Sequence, residues 1–174
     1  MTTYFASTLP TILFESAPPV SLEAFVESAN IRLAPADFAP LSALADGHPC
    51  KHPFVKAWRS FEIQLRNVIV RIRASRLNVE ASPYLRPHAD LDLSAERVVA
   101  AAFLASDPLR CEDALERIRF DKAHELGGIT PLTLDTILAY YLQLVIVTRR
   151  AQRDADQGRI RRDTLLDSIL LAEG

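Results

Sequence analysis

The sequence contains few cysteines and few glycines, and both shortages narrow the class of protein. Two cysteines, Cys50 and Cys111, are too few for a disulfide scaffold in a chain of 174 residues, so a reduced, cytosolic setting is expected. Five glycines accompany an apolar content of 49%. That combination favours a helix-rich globule with a sizeable core and argues against disorder.

The sequence also lacks a strong charge of one sign and a long apolar run. Its formal net charge is −2 and its pI is near 6.1, so no global field favours nucleic acid or an anionic membrane surface. The most apolar run, Ile137 to Val147, contains Gln143 and is far shorter than the roughly 20 residues of a spanning helix. The N-terminal stretch has no basic region and does not resemble a signal peptide. We therefore expect a cytoplasmic protein without direct membrane insertion.

No catalytic motif is present. The sequence contains no G-x-x-x-x-G-K-[ST], G-x-G-x-x-G, G-x-S-x-G or H-E-x-x-H. His48, Cys50 and His52 place ligand-type residues at alternate positions, but zinc sites generally add a second ligand pair that is missing here, so we interpret this segment as a loop leading into a helix. The expectation is a non-enzymatic protein with no catalytic residues, no cofactor and no metal.

The most informative segment that is present runs from Pro53 to Leu77 and has the features of a long helix. Pro53 suits the first helical position. Apolar residues fall on one broad stripe at helical spacing, namely Phe54, Trp58, Phe61, Leu65, Val68, Ile69 and Ile72. Charged residues form a strip along one flank, namely Arg59, Glu62, Arg66 and Arg73. The strip is either a solvated edge in which Glu62 pairs with Arg66 or Arg59, or a polar interface that meets a partner.

The residues that start and stop helices in the rest of the sequence predict an all-α protein. Thr3 to Ser7 has β-capable residues, and Pro10, Pro18 and Pro19 predict an extended or turn-rich path after it. Short helices are then predicted from Ser21 and Pro35. Two more helices are expected after Ser94 and Asp107, and a second long helix from about Leu132, stopped by Gly158 and followed by a separate amphipathic segment over 159–172. The fold class is therefore a bundle of six or seven helices with two long core helices, at about 53–77 and 132–157.

The chain length fits a single helical domain over 1–174, and the sequence also allows two related units. Leu65–Arg76 and Leu142–Arg153 are identical at seven of twelve positions without a gap, and a proline-led helix precedes each. The units would be 1–78 and 94–174, joined by the proline-containing connection 79–93. Chance similarity between two buried helices rich in Val and Ile is the other explanation.

Several short motifs resemble one known family. The central helix carries Trp58-x-x-x-Glu62-x-x-Leu65-Arg66-Asn67, followed by Arg73-Ala74. Further similar segments are Tyr4-Phe5-Ala6-Ser7-x-Leu9-Pro10, Ser21-Leu22-Glu23-x-Phe25, Arg119-Phe120-Asp121, Leu134-Asp135 and Leu138-x-Tyr140. Together they resemble a bacterial domain-of-unknown-function family that is encoded among the subunits of V-type (A/V-type) ATPases.

The resemblance implies a non-catalytic accessory or structural subunit of a rotary ATPase, or an assembly factor, peripheral to the inner membrane through the complex. The nearest analogue is the all-helical C-type (d-type) socket subunit, although this chain is about half its usual size. The implied partners are other ATPase subunits on the central-stalk or membrane-ring side. We place the partner contacts on the charged strip and the basic helix ends, at Arg59, Glu62, Arg66, Asn67, Arg73, Arg76, Arg149, Arg150 and Arg153. The alternative is a helical nucleic-acid- or protein-binding module unrelated to the ATPase, with the same arginines on phosphates.

Overall fold

The fold consists of seven α-helices and one 3-10 turn, without a strand among the described residues. The computed structural model describes residues 2–87, 93–103 and 107–172, with side chains described over 2–87, 97–103 and 107–153. The helices are α1 (Thr2–Ser7), α2 (Leu22–Arg32), α3 (Pro35–Ala45), α4 (Pro53–Leu77), α5 (Leu93–Ala102), α6 (Pro108–Gly127) and α7 (Leu134–Ala172), with the 3-10 turn at Ser82–Tyr84. The prediction of an all-α bundle of six or seven helices is confirmed.

Helix α4 has the predicted bounds, and local chemistry explains both of its ends. Pro53 occupies the first turn, where its missing N–H costs no hydrogen bond. Asn78 ends the helix in the left-handed conformation (φ 54°), and its N–H points to the carbonyls of Ala74 and Ser75. The N-terminus of α6 follows the same logic, because the Asp107 carboxylate accepts a 3.0 Å hydrogen bond from the backbone of Leu109.

Helix α7 corrects the predicted end of the second long helix. The helix continues through Gly158 to Ala172, so the predicted end near 157 and the separate segment over 159–172 are both wrong. A single glycine inside a helix costs only about 1 kcal/mol relative to alanine, and no proline follows it. The apolar side chains that were predicted to form a face there, from Ile160 to Leu170, lie outside the described side chains.

The N-terminus corrects a second expectation. Thr2–Ser7 forms helix α1, although the sequence shows β-capable residues there. Tertiary burial explains the difference, because Phe5 is buried with its ring 5.8 Å from that of Phe25 on α2. The prolines therefore shape only the segment that follows this first helix.

One hydrophobic cluster draws on all seven helices, from Phe5 on α1 to Val147 on α7. Helices α6 and α7 pack along each other, and their approach is close at Gly127, where an added Cβ would lie 2.9 Å from the Cβ of Ala139. Helix α4 packs instead against α3, α5 and α6. The relation between the two proposed units stays a prediction.

Candidate functional site

A groove runs along α4 in the described part of the chain, bordered by the end of α3, by α6 and by Arg86. Its volume is about 750 Å³, within the roughly 300–1,000 Å³ of typical ligand sites. Five arginines and two glutamates line it, which leaves an excess of three positive charges. The charged lining residues are Arg59, Glu62, Arg66, Arg73, Arg86, Glu112 and Arg119. The whole charged strip predicted on α4 therefore faces this groove.

The three arginines that α4 contributes differ in how firmly the protein holds them. Arg59 donates a hydrogen bond to the carbonyl of Gly47 at the end of α3. Arg66 is exposed and makes only a long, 3.5 Å hydrogen bond to the carbonyl of Tyr84. Arg73 is exposed and has no hydrogen bond or ion pair with the described residues. The positive charge thus becomes more available from the start of the groove toward Arg73.

Glu62 has a different partner from the two that the sequence predicted. Its carboxylate accepts a 3.0 Å hydrogen bond from Nε of Arg119 on α6. Neither Arg66 nor Arg59 pairs with Glu62, because Arg59 donates to the Gly47 carbonyl and Arg66 to that of Tyr84. The ion pair therefore ties α4 to α6.

Arg119 also approaches a buried carboxylate. Its Nη1 lies 3.6 Å from Oε1 of Glu116, whose residue is 6% exposed. Burial raises the pKa of Glu116 above its ordinary value, while the charges of Arg119, Arg149 and Arg153 oppose that rise. The second carboxylate oxygen, Oε2, is buried without a hydrogen-bond partner among the described residues. Arg119 therefore joins a groove carboxylate to a carboxylate inside the bundle.

Asn67 shapes the far wall of the groove without lining it. The residue is 6% exposed, and its amide donates to the carbonyl of Arg86 at 2.8 Å and accepts from the backbone N–H of Arg86 at 2.9 Å. Two hydrogen bonds to one backbone residue fix the segment after the 3-10 turn. Asn67, predicted as a partner contact, is thus an internal anchor that places Arg86 at the groove.

Two of the three arginines of α7 that were predicted as partner contacts, Arg150 and Arg153, are bound inside the protein. Arg150 donates to the carbonyl of Phe14 at 3.1 Å, and its guanidinium lies 4.9 Å from the centre of the Phe14 ring. Asp113 of α6 lies 3.6 Å from Arg150 and 3.1 Å from Arg153. Arg149 is exposed and lies outside the groove lining.

The last basic residue of α4 is also held internally. Arg76 donates to the carbonyl of Phe103 and lies 5.2 Å from the centre of the Phe103 ring. The end of α4 is therefore fastened to the end of α5, and the Arg76 guanidinium is not open to a partner in the way that Arg73 is.

Sequence reasoning missed three charged residues of the groove, namely Arg86, Glu112 and Arg119. Arg86 lies within the proline-containing connection 79–93, and Glu112 lies on a helix face without a motif, so neither carries a local signal. Arg119 belongs to the Arg119-Phe120-Asp121 motif, which resembles the ATPase-associated family and is its only local signal. Its pairing with Glu62 spans 57 residues and follows no local spacing rule.

The described residues offer little for metal chemistry or membrane insertion. Within the described part of the chain, no group of three or more His, Cys, Asp or Glu side chains is arranged to hold a metal ion. No helix there has both the length and the apolar character needed to cross a bilayer. Comparison of the chain with protein-family models, with curated proteins and with solved structures found no match.

Proposed function

We propose that this protein is a non-catalytic accessory subunit of a bacterial V-type ATPase and that it binds another subunit through the groove along α4. The observation that carries the proposal is the open positive charge of Arg66 and Arg73 in a groove that has an excess of three positive charges. Charge of one sign in a concave surface selects a partner of opposite charge. The motifs of α4 that resemble the ATPase-associated family supply the identity of the partner.

The lining of the groove supports binding rather than catalysis. Among the described lining residues there is no Ser, Thr, Cys, His, Lys or Asp side chain, so the usual nucleophiles are missing. Of its two glutamates, Glu62 is held by Arg119 at 3.0 Å. A general base needs a free position close to a reacting proton, which a carboxylate in an ion pair does not have.

The same lining favours a protein over a nucleic acid. Trp58 is the only aromatic residue among the described lining residues, and at 9% exposure its ring is closed to base stacking. Glu62 and Glu112 add negative charge where a polyphosphate backbone would run. A partner segment with well-separated carboxylates fits this mixture of charges better.

Co-purification tests the proposal. The tagged full-length chain, expressed in a bacterium that encodes it, should recover rotary ATPase subunits, and the double variant Arg66→Glu/Arg73→Glu should recover about tenfold less. The double variant Arg97→Glu/Arg110→Glu makes the same charge change on exposed arginines outside the groove lining and should behave as the wild type. Recovery of no ATPase subunit by the wild type, or equal recovery by both variants, would contradict the proposal.

A further inference from the structure

The face of α4 that borders the groove has the spacing of a coiled-coil seam. Six residues of the lining alternate at intervals of four and three positions, and they are Val55, Arg59, Glu62, Arg66, Ile69 and Arg73. This alternation, sustained over nearly three heptads, keeps one side of a helix facing a second helix that crosses it at a shallow angle. Inside a folded bundle, such a seam ordinarily lies against a neighbouring helix. Here Val55 at its start is fully buried, whereas from Arg59 to Arg73 the seam borders the open groove.

We infer that the groove receives an amphipathic α-helix of the partner, on which an acidic residue recurs every seven positions. The inference rests on the proposed function, because it takes the groove to be the docking surface. Beyond the proposed function, the inference specifies the secondary structure of the bound segment, the spacing of its acidic residues and the arginines that bind them.

The length of the arginine series favours a helix. Arg59, Arg66 and Arg73 follow one another at intervals of seven residues, or about 10.5 Å along the axis, and the series spans about 21 Å. That span exceeds what one small anion could bridge. A second helix has the same rise per residue, so carboxylates seven residues apart on it meet successive arginines without stretching.

The groove also offers apolar residues to the apolar face of a docked helix. Ile63, Ile69 and Val70 are half-buried in the lining between the arginines, and Leu44 and Leu115 belong to the two side walls. Apolar side chains of a docked helix would fill these positions and shield the ion pairs from water. The occupant therefore carries an apolar position beside each acidic one, which distinguishes it from an extended acidic peptide.

Glu62 gives the seam a preferred register. It lies between Arg59 and Arg66 and is fixed by Arg119, so its carboxylate cannot turn away. A helix displaced by half a heptad would set its own carboxylates against Glu62, and like charges opposite each other are unfavourable. The register that places carboxylates at Arg66 and Arg73 avoids this repulsion.

Synthetic helices test the inference with the full-length protein. The first peptide carries Glu at every seventh position with Leu beside it for about three heptads, and the second has the same composition with its Glu residues distributed around the helix. The third carries Lys in place of each Glu. Fluorescence anisotropy at low salt should show the first peptide binding about tenfold more tightly than the second. The third should not bind measurably.

Substitutions of Arg73 in the protein test the same contact from the other side. Arg73→Glu should weaken binding of the first peptide about tenfold, with an unchanged thermal midpoint. Arg73→Gln should weaken it by less, because this change removes a positive charge without adding a negative one. A variant that loses affinity only together with its thermal midpoint would overturn the inference, because it would report damage to the fold.

Two other results would overturn it. Equal affinity for the first two peptides would mean that the groove reads charge without helical period, and equally effective competition by a single-stranded DNA oligonucleotide would assign the groove to nucleic acid. The proposed function fails separately, through co-purification. If the protein recovers ATPase subunits but binds the first two peptides equally, the proposed function stands and the inference of a helical occupant fails. If it distinguishes the peptides but recovers no ATPase subunit, the helical occupant stands and the proposed ATPase partner fails.

Discussion

Two twelve-residue segments of this protein share seven identical positions and have different surroundings. Ile69 and Arg73 of α4 correspond to Ile146 and Arg150 of α7 in the matched twelve-residue stretches. Ile146 is 3% exposed, whereas Ile69 is half-buried and lines the groove. Arg150 is held by the carbonyl of Phe14 at 3.1 Å, whereas Arg73 is open.

The difference comes from the neighbouring helix. Helix α6 lies along α7 and supplies Asp113, which lies within 3.6 Å of both Arg150 and Arg153. No acidic side chain of the described residues reaches Arg73 in the same way. A basic helix end is therefore structural or available according to what packs beside it, and the sequence of the helix itself does not decide between the two.

Core truncation should give the largest effect in this comparison. Ile146→Ala should lower the free energy of unfolding by about 2–5 kcal/mol, because it leaves a cavity in a closed part of the core. Ile69→Ala should cost about half as much or less, since water and neighbours can fill the groove side. Denaturant unfolding of both variants measures this, and equal losses would contradict the distinction.

The next largest effect is expected from a substitution that gives α4 the residue found at the matching position of α7. Asn67 aligns with Leu144, so Asn67→Leu gives both helices the same residue at this position. The change removes both hydrogen bonds to Arg86 and should cost about 1–3 kcal/mol through the unsatisfied backbone groups. Hydrogen exchange at the Arg86 amide should accelerate in the variant. Unchanged exchange would show that Asn67 does not anchor this segment.

Neutralising the matched arginines should give a smaller difference. Arg150→Gln should destabilise by about 1–2 kcal/mol, because the Phe14 carbonyl and Asp113 lose a charged partner. Arg73→Gln should stay within about 0.5 kcal/mol of the wild type, as expected for an exposed side chain. Thermal unfolding at equal salt measures both, and a larger loss for Arg73→Gln would reverse the assignment.

The smallest effect concerns pH. Burial raises the pKa of Glu116 above 4.5, so the folded state holds this proton more tightly than the unfolded state does. The resulting stabilisation is present below pH 4.5 and is lost as the pH rises through the folded-state pKa. The free energy of unfolding of the wild type, minus that of Glu116→Gln, should therefore fall across this window. A difference that stays constant or rises with pH would contradict the raised pKa.

The bounds and the core face of α4 could be predicted from the sequence, because the determinants of this helix are local. Pro53 sets its start, and the apolar stripe identifies its core face. The same local evidence placed Arg59, Glu62, Arg66 and Arg73 along one strip, and the structure places that strip on the groove.

The errors arose where distant contacts decide the outcome. The pairing of Glu62 with Arg119 depends on how α6 packs, and the helical N-terminus depends on burial of Phe5 against Phe25. At Gly158 the sequence predicts a helix end, whereas the helix continues, because a single glycine costs a helix only about 1 kcal/mol.

The most direct test of the central claim is the affinity of the full-length protein for the first helical peptide, measured for Arg73→Glu and for Arg97→Glu. Both variants reverse one exposed arginine, and only Arg73 lines the groove. The account predicts about a tenfold loss of affinity for Arg73→Glu, no change for Arg97→Glu, and the wild-type thermal midpoint for both. Equal affinities for the two variants would contradict the claim that the α4 groove is the docking surface.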